Sequence, residues 1–189
     1  MTNNFVLLGD SLTFGYGVKK NESWAFKIKD YTDLNVINKG INGDTTPSML
    51  DRFYDDVSKN NPNIIFIMGG TNDLLMGHSV HTIIDNIKEL INDSKKLTPN
   101  IYIGIPPYII KEMANKLFIP SPFYPNCEEN LPILRSKLID LCNNESIQYI
   151  DLYTITKDNS LNEIYTDGIH FNSKGQKILL NEILNVISF

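Results

Sequence analysis

A serine at the end of an apolar run, a histidine with a carboxylate three residues before it and an isolated amide side chain are the parts of an acyl-transfer site. Ser11 stands in Gly9-Asp10-Ser11-Leu12, directly after Phe5-Val6-Leu7-Leu8. A serine hydroxyl is a weak nucleophile until a base takes its proton, and His170 is the candidate base. Asp167, in Asp167-Gly168-Ile169-His170, would orient the imidazole and stabilise its protonated form. An imidazole must be neutral to accept a proton, so activity is expected to rise with pH through roughly 6 to 7. Two further polar clusters, Gly40-Ile41-Asn42-Gly43-Asp44-Thr45 and Gly69-Gly70-Thr71-Asn72-Asp73, accompany them, and an acyl-transfer site needs donors aimed at the developing oxyanion. Taken singly, each cluster has an ordinary reading. Gly-Asp-Ser and Asn42-Gly43 are common turn sequences, Asn72 and Asp73 suit a helix start, and Asp167 and His170 suit a surface loop.

The elements that must position these residues follow from periodicity. Short runs rich in Val and Ile alternate with longer helical patterns, which is the signature of βα units and a parallel sheet. Strands are expected at about Asn4 to Leu8, Asn35 to Asn38, Ile64 to Met68, Ile101 to Ile105 and Gln148 to Leu152. Thr46-Pro47 marks a helix start, and Ile83, Ile84, Ile87, Leu90 and Ile91 form the apolar stripe of another helix. Ser173 with Gln176 reads as a capping box opening a C-terminal helix that carries Ile178, Leu179, Ile183, Leu184 and Ile187. All four polar clusters then fall at the carboxyl ends of strands, where open parallel sheets bind ligands. From Pro106 to Pro132 the pattern stops. Six prolines in that stretch frame a short helix at about Ile110 to Leu117 and an aromatic segment, Phe118 to Tyr124, and a connection of this length points to function.

The four clusters, in this order and at these separations, resemble the sequence blocks of the GDSL, or SGNH, hydrolases. The resemblance runs from Gly9 to His170. It implies a flavodoxin-like three-layer α/β/α sandwich on a five-stranded parallel sheet, with Ser11, Asp167 and His170 catalytic and no cofactor or metal. It also implies an oxyanion hole made of the Ser11 N–H, a second-block glycine N–H and the Asn72 side-chain amide. Gly43 is taken as that glycine because it immediately precedes Asp44-Thr45, and Gly40 is assigned to the turn leaving its strand. Phe171 stands where the family often has proline, which would change the substrate wall without touching the mechanism. The reaction implied is hydrolysis of carboxylic esters or thioesters through an acyl-enzyme, the substrate being a small acyl molecule such as a lysophospholipid. Carbohydrate O-deacetylation is the alternative, and a non-catalytic acyl- or glycosyl-binding protein is the reading from another class.

Bulk composition bounds these readings. A chain of 189 residues that is 42% hydrophobic suits one domain with a full core, residues 1–189. A formal net charge of -5 argues against a duplex nucleic-acid partner. Met1-Thr2-Asn3-Asn4 lacks the basic and apolar regions of a signal peptide, and no apolar run approaches the ~20 residues that span a bilayer, so a cytoplasmic location is expected. Cys142 falls on a helical core stripe and Cys127 in the Pro-rich loop, and neither is given a role. His78 and His81 lack a third metal ligand. Gly15 and Gly17 do not make a dinucleotide fingerprint, since Lys20 stands where its third glycine would be.

Overall fold

The computed structural model describes residues 3–159 and 163–187. Its strands are β1 (Asn4–Gly9), β2 (Asn35–Gly40), β3 (Pro62–Met68), β4 (Ile101–Ile105) and β5 (Gln148–Asp151). They form one parallel sheet in the order β2-β1-β3-β4-β5. The helices are α1 (Ser11–Phe14), α2 (Trp24–Lys27), α3 (Thr46–Asp51), α4 (Phe53–Asp56), α5 (Thr71–Leu75), α6 (Val80–Lys95), α7 (Lys111–Leu117), α8 (Tyr124–Glu145), α9 (Leu152–Asp158) and α10 (Ser173–Val186). All five expected strands are present, with ends displaced by at most two residues.

The central strands are buried on both faces, which is why they read as unbroken apolar runs. The period of two divides them between two cores. Val6, Leu8, Ile65 and Ile67 face α3, α4, α6 and α8 through Met49, Phe53, Ile87 and Leu138. Phe5, Leu7, Phe66 and Met68 face α2 and α10 through Trp24, Leu179 and Ile183. Strand order reverses between β1 and β3, so the chain leaving β1 at Gly9 opens into the crevice where such sheets bind ligands.

Three local expectations are corrected. The residue capping α10 is Asn172, not Ser173: the Asn172 side chain accepts from the Lys174 and Gly175 N–H groups. Gln176 reaches across the chain, and its Oε1 accepts the Trp24 N–H at 3.0 Å, satisfying an orphan donor at the start of α2. The irregular segment is also shorter than Pro106 to Pro132, because α8 begins at Tyr124 and runs through Pro132. A proline inside a helix costs ~3 kcal/mol. The buried face of α8 includes Cys127 and four leucines, Leu131, Leu134, Leu138 and Leu141, and the leucines, at about 1.5–3 kcal/mol each on burial, outweigh it.

Gly40 does not serve a turn. It is the last residue of β2, and a Cβ there would run into the backbone N of Phe14 and sit 2.8 Å from its Cα. The glycine lets α1, which carries Ser11, lie against the end of β2. Gly40→Ala is expected to cost about 1–3 kcal/mol, because the clash is with backbone that cannot swing away. Urea denaturation monitored by circular dichroism would read this as a lowered midpoint at unchanged slope, and a midpoint equal to wild type would show that the contact is not tight.

Candidate active site

Ser11 is the first residue of α1, and Asp10 caps that helix by accepting the Leu12 N–H at 2.9 Å. The short helix is held from both sides. Trp24 Nε1 donates to the Leu12 carbonyl and Asn38 Nδ2 to the Thr13 carbonyl, each at 2.9 Å. Its position places Ser11 Oγ 3.0 Å from His170 Nε2. His170 Nδ1 lies 2.8 Å from Asp167 Oδ2, while Asp167 Oδ1 accepts the Ile169 N–H at 2.9 Å and the His170 N–H at 2.7 Å. Three-residue spacing is what allows one carboxylate to hold both the loop backbone and the ring it presents.

Burial pushes the Asp167 carboxyl up, but the hydrogen bonds from the His170 ring and backbone and the His170 charge outweigh it and hold the group below the usual carboxylate range. An ionised carboxylate can only accept. Nδ1 therefore donates to it, and in the neutral ring Nε2 is left as an acceptor aimed at the Ser11 hydroxyl. Ser11, Asp167 and His170 are all buried. The loop is fixed further by Thr166 N–H to His170 O at 2.8 Å and by Ile110 N–H, at the start of α7, to Gly168 O at 2.8 Å.

Residues 41–44 close a turn in which Asp44 N–H donates to Ile41 O at 3.2 Å, with Gly43 at the third position and φ +77°. That is the type II position where glycine is unstrained. A Cβ on Gly43 would meet nothing within 4 Å, so its backbone borders open space. Asn72 lies in the first turn of α5 and donates from Nδ2 to Asp44 O at 2.9 Å, which sets the plane of its amide and leaves a second N–H. Among the described residues neither the Ser11 nor the Gly43 N–H has a hydrogen-bond partner. Asp73 has a structural place, accepting from Thr46 Oγ1 at 2.6 Å and from Thr46 N, and this pins α5 to α3. Leu74 packs in the core, whereas Met76 is exposed.

Two aromatic rings cover His170. Tyr16 lies 4.4 Å from it between ring centroids and Phe118, edge-on, 5.1 Å away. Tyr16 is set there because its N–H and that of Gly15 both donate to Ser11 O at 3.0 Å. Sequence reasoning singled out Phe118 within the aromatic segment but passed over Tyr16, since a lone tyrosine in a Gly-rich turn carries no pattern. It also gave no separate role to Asp10, a buried acid pushed up to about 7 by burial, with the charges of Asp44 and Asp73 adding to the rise.

Other candidate groups lie elsewhere. His78 Nδ1 is 3.5 Å from Asp73 and His81 Nε2 is 3.5 Å from Asp85, and no cluster of three or more His, Cys, Asp or Glu side chains that could hold a metal ion occurs among the described residues. Burial pushes the Cys127 and Cys142 thiols up to about 12, the opposite of what a reactive cysteine requires. A cavity of about 680 Å³ lies against β2, lined by Phe14, Val18, Phe26 and Val36, with none of Ser11, Gly43, Asn72 or His170 among its walls. No helix among the described residues is long and apolar enough to cross a membrane.

Comparison with known proteins adds to this geometry. The model of the GDSL-like lipase/acylhydrolase family matches residues 7–178. An arylesterase of Vibrio mimicus is 29% identical over 68% of this chain and 67% of its own length. The isoamyl acetate-hydrolyzing esterase of Saccharomyces cerevisiae is 27% identical over 97% of this chain and 85% of its own. Among solved structures, a member of the lipolytic protein G-D-S-L family from Veillonella parvula superposes with a TM-score of 0.80 at 19% identity, covering 98% of each chain.

Proposed function

We propose, for a chain that belongs to the GDSL-like lipase/acylhydrolase family and is a hydrolase acting on esters, that Ser11, His170 and Asp167 cleave small carboxylic esters or thioesters through an acyl-enzyme, with residues 1–189 working as one domain. The observation that carries this reading is the unbroken chain of contacts from Ser11 Oγ to His170 Nε2 at 3.0 Å and from Nδ1 to Asp167 at 2.8 Å.

In this mechanism Ser11 Oγ adds to the carbonyl carbon as its proton passes to His170 Nε2. Asp167 keeps the ring oriented and stabilises the imidazolium. The carbonyl oxygen, now negative, is received by the Ser11 and Gly43 N–H groups and the second N–H of Asn72. His170 returns the proton to the departing alcohol or thiol, and the ester bond breaks to leave Ser11 acylated. Water then repeats the sequence, with His170 as base, and releases the acid.

A second reading, release of acetyl groups from carbohydrate, is favoured by Tyr16 and Phe118. Both residues stay partly exposed, at 40% and 38%, beside His170, and a sugar stacks on such aromatic faces. The acetate ester in the yeast relative's name points to the same short acyl group. Hydrolysis of a p-nitrophenyl series from acetyl to decanoyl, followed by acetylated xylo-oligosaccharide, tests both. Turnover of p-nitrophenyl esters is expected. A long-chain optimum supports lipid or thioester substrates, an acetyl-only profile with sugar release supports deacetylation, and no turnover of any ester by folded protein overturns the hydrolytic mechanism.

A further inference from the structure

Resting on the acyl-transfer reading above, we infer that Arg52 is a positioning residue for oxyanion stabilisation: one guanidinium sets the backbone segments that carry all three donors. Arg52 follows α3, and its side chain is 13% exposed. Nη2 donates to the carbonyl of Gly9 at 3.1 Å, two residues before Ser11 at the end of β1. Nη1 donates to the carbonyl of Lys39 at 2.9 Å, at the end of β2, and to Asp56 Oδ2 at 2.7 Å. Nε and Nη2 both donate to Asp44 Oδ2, at 2.8 and 2.5 Å. Asp44 is the residue that closes the Gly43 turn through its N–H and orients the Asn72 amide through its carbonyl.

The Ser11, Gly43 and Asn72 donors come from three loops that sequence separates by about thirty residues each, and Arg52 is bonded directly to the first two and through Asp44 to the third. Five N–H donors in a rigid plane suit this task, whereas an ammonium is a point charge with no fixed fork. The charge matters as well as the shape. Asp44 and Asp73 lie near enough to Asp10 for their charges to be felt there, and in the proposed reaction negative charge builds up on the substrate oxygen held by the neighbouring Ser11, Gly43 and Asn72 groups. Arg52 offsets the Asp44 carboxylate at this point, so the oxyanion does not form against an unbalanced acid.

The experiment compares wild type, Arg52→Met, Arg52→Lys, Asp44→Asn and the double variant Arg52→Met/Asp44→Asn in p-nitrophenyl acetate hydrolysis and in inhibition by an aryl trifluoromethyl ketone, whose serine adduct carries a negative oxygen. Circular dichroism establishes that each variant is folded at the assay temperature. Arg52→Met is expected to lower kcat about 10- to 100-fold, the cost of donors misplaced by a fraction of an ångström to an ångström. KM changes less than threefold, and the ketone Ki rises by the same factor as kcat/KM falls. Arg52→Lys restores little of this, and Asp44→Asn gives an intermediate loss that is not additive with Arg52→Met. Folded Arg52→Met with wild-type kcat and Ki overturns the inference. So does a lysine variant that behaves as wild type, and this variant decides the question where the methionine one does not fold. Failure of the acyl-transfer reading shows earlier and separately, as wild type that makes no ketone adduct or as Ser11→Ala that keeps its turnover, and it takes the inference with it.

Discussion

Ser11→Ala is expected to lower kcat/KM for p-nitrophenyl acetate by a factor on the order of 10⁴ to 10⁶ without unfolding the protein. The size follows from the role proposed for the residue: if Oγ is the nucleophile, its loss prevents the acyl-enzyme, and what persists is the help given to water by the surrounding donors, on the order of 10³ to 10⁴ over the uncatalysed reaction. The limited structural cost follows from the contacts. Among the described residues, Ser11 Oγ has one hydrogen-bond partner, His170 Nε2, so alanine removes a single bond, worth about 1 kcal/mol. Ser11 N–H, the donor from the same residue, is retained. A fluorophosphonate followed by intact-mass spectrometry makes the result unambiguous: wild type gains one adduct and the variant none. A variant keeping more than a hundredth of wild-type turnover would remove Ser11 from the mechanism.

Asp167→Asn is expected to lower kcat by about 10⁴-fold with the loop still in place. The asparagine oxygen can go on accepting the Ile169 and His170 N–H groups that Asp167 Oδ1 accepts now. Its amide would then face His170 Nδ1 as a donor, reversing the present polarity. Nδ1 must accept, the ring proton moves to Nε2, and the nitrogen facing Ser11 can no longer take a proton. The same substitution changes the response of stability to acid. The Asp167 carboxyl titrates lower in the folded protein than in the unfolded chain, where it is about 3.9. Its contribution is fully present above that unfolded value and is lost as pH falls through the lower native one. The stability gap between wild type and Asp167→Asn is expected to close as pH falls below about 4. Urea midpoints measured from pH 7 down to the acid transition would show it, and a gap that widens in acid would contradict the depressed native value. A kcat within tenfold of wild type would remove the orienting role.

Where the chain could be read in advance, the signal was local. β4 was expected at Ile101 to Ile105 and occupies Ile101–Ile105, because a buried parallel strand must be apolar on both faces and stops where proline follows. The stripe of Ile83, Ile87, Leu90 and Ile91 marked α6 for the equivalent helical reason. Cys127 and Pro132 misled, since proline signals a loop only when packing does not override it, and the buried face of α8 does override it. Ser173 misled because Asn172, one residue earlier, caps as well and sits where the chain enters α10.

The amino-acid sequence by itself determined the alternation of strands and helices and the four polar clusters at strand ends, because hydrophobic periodicity and turn chemistry are properties of neighbouring residues. Only the tertiary structure decided which groups meet. It placed Ser11 Oγ against His170 across 159 residues of chain, laid Tyr16 and Phe118 over that histidine, turned Gln176 from its own helix end to that of Trp24, and ran Arg52 between the ends of β1 and β2. These contacts depend on strand order and on how closely backbones approach, as at Gly40 and Phe14. No local pattern encodes such distances, since they exist only once both sides of the sheet are packed.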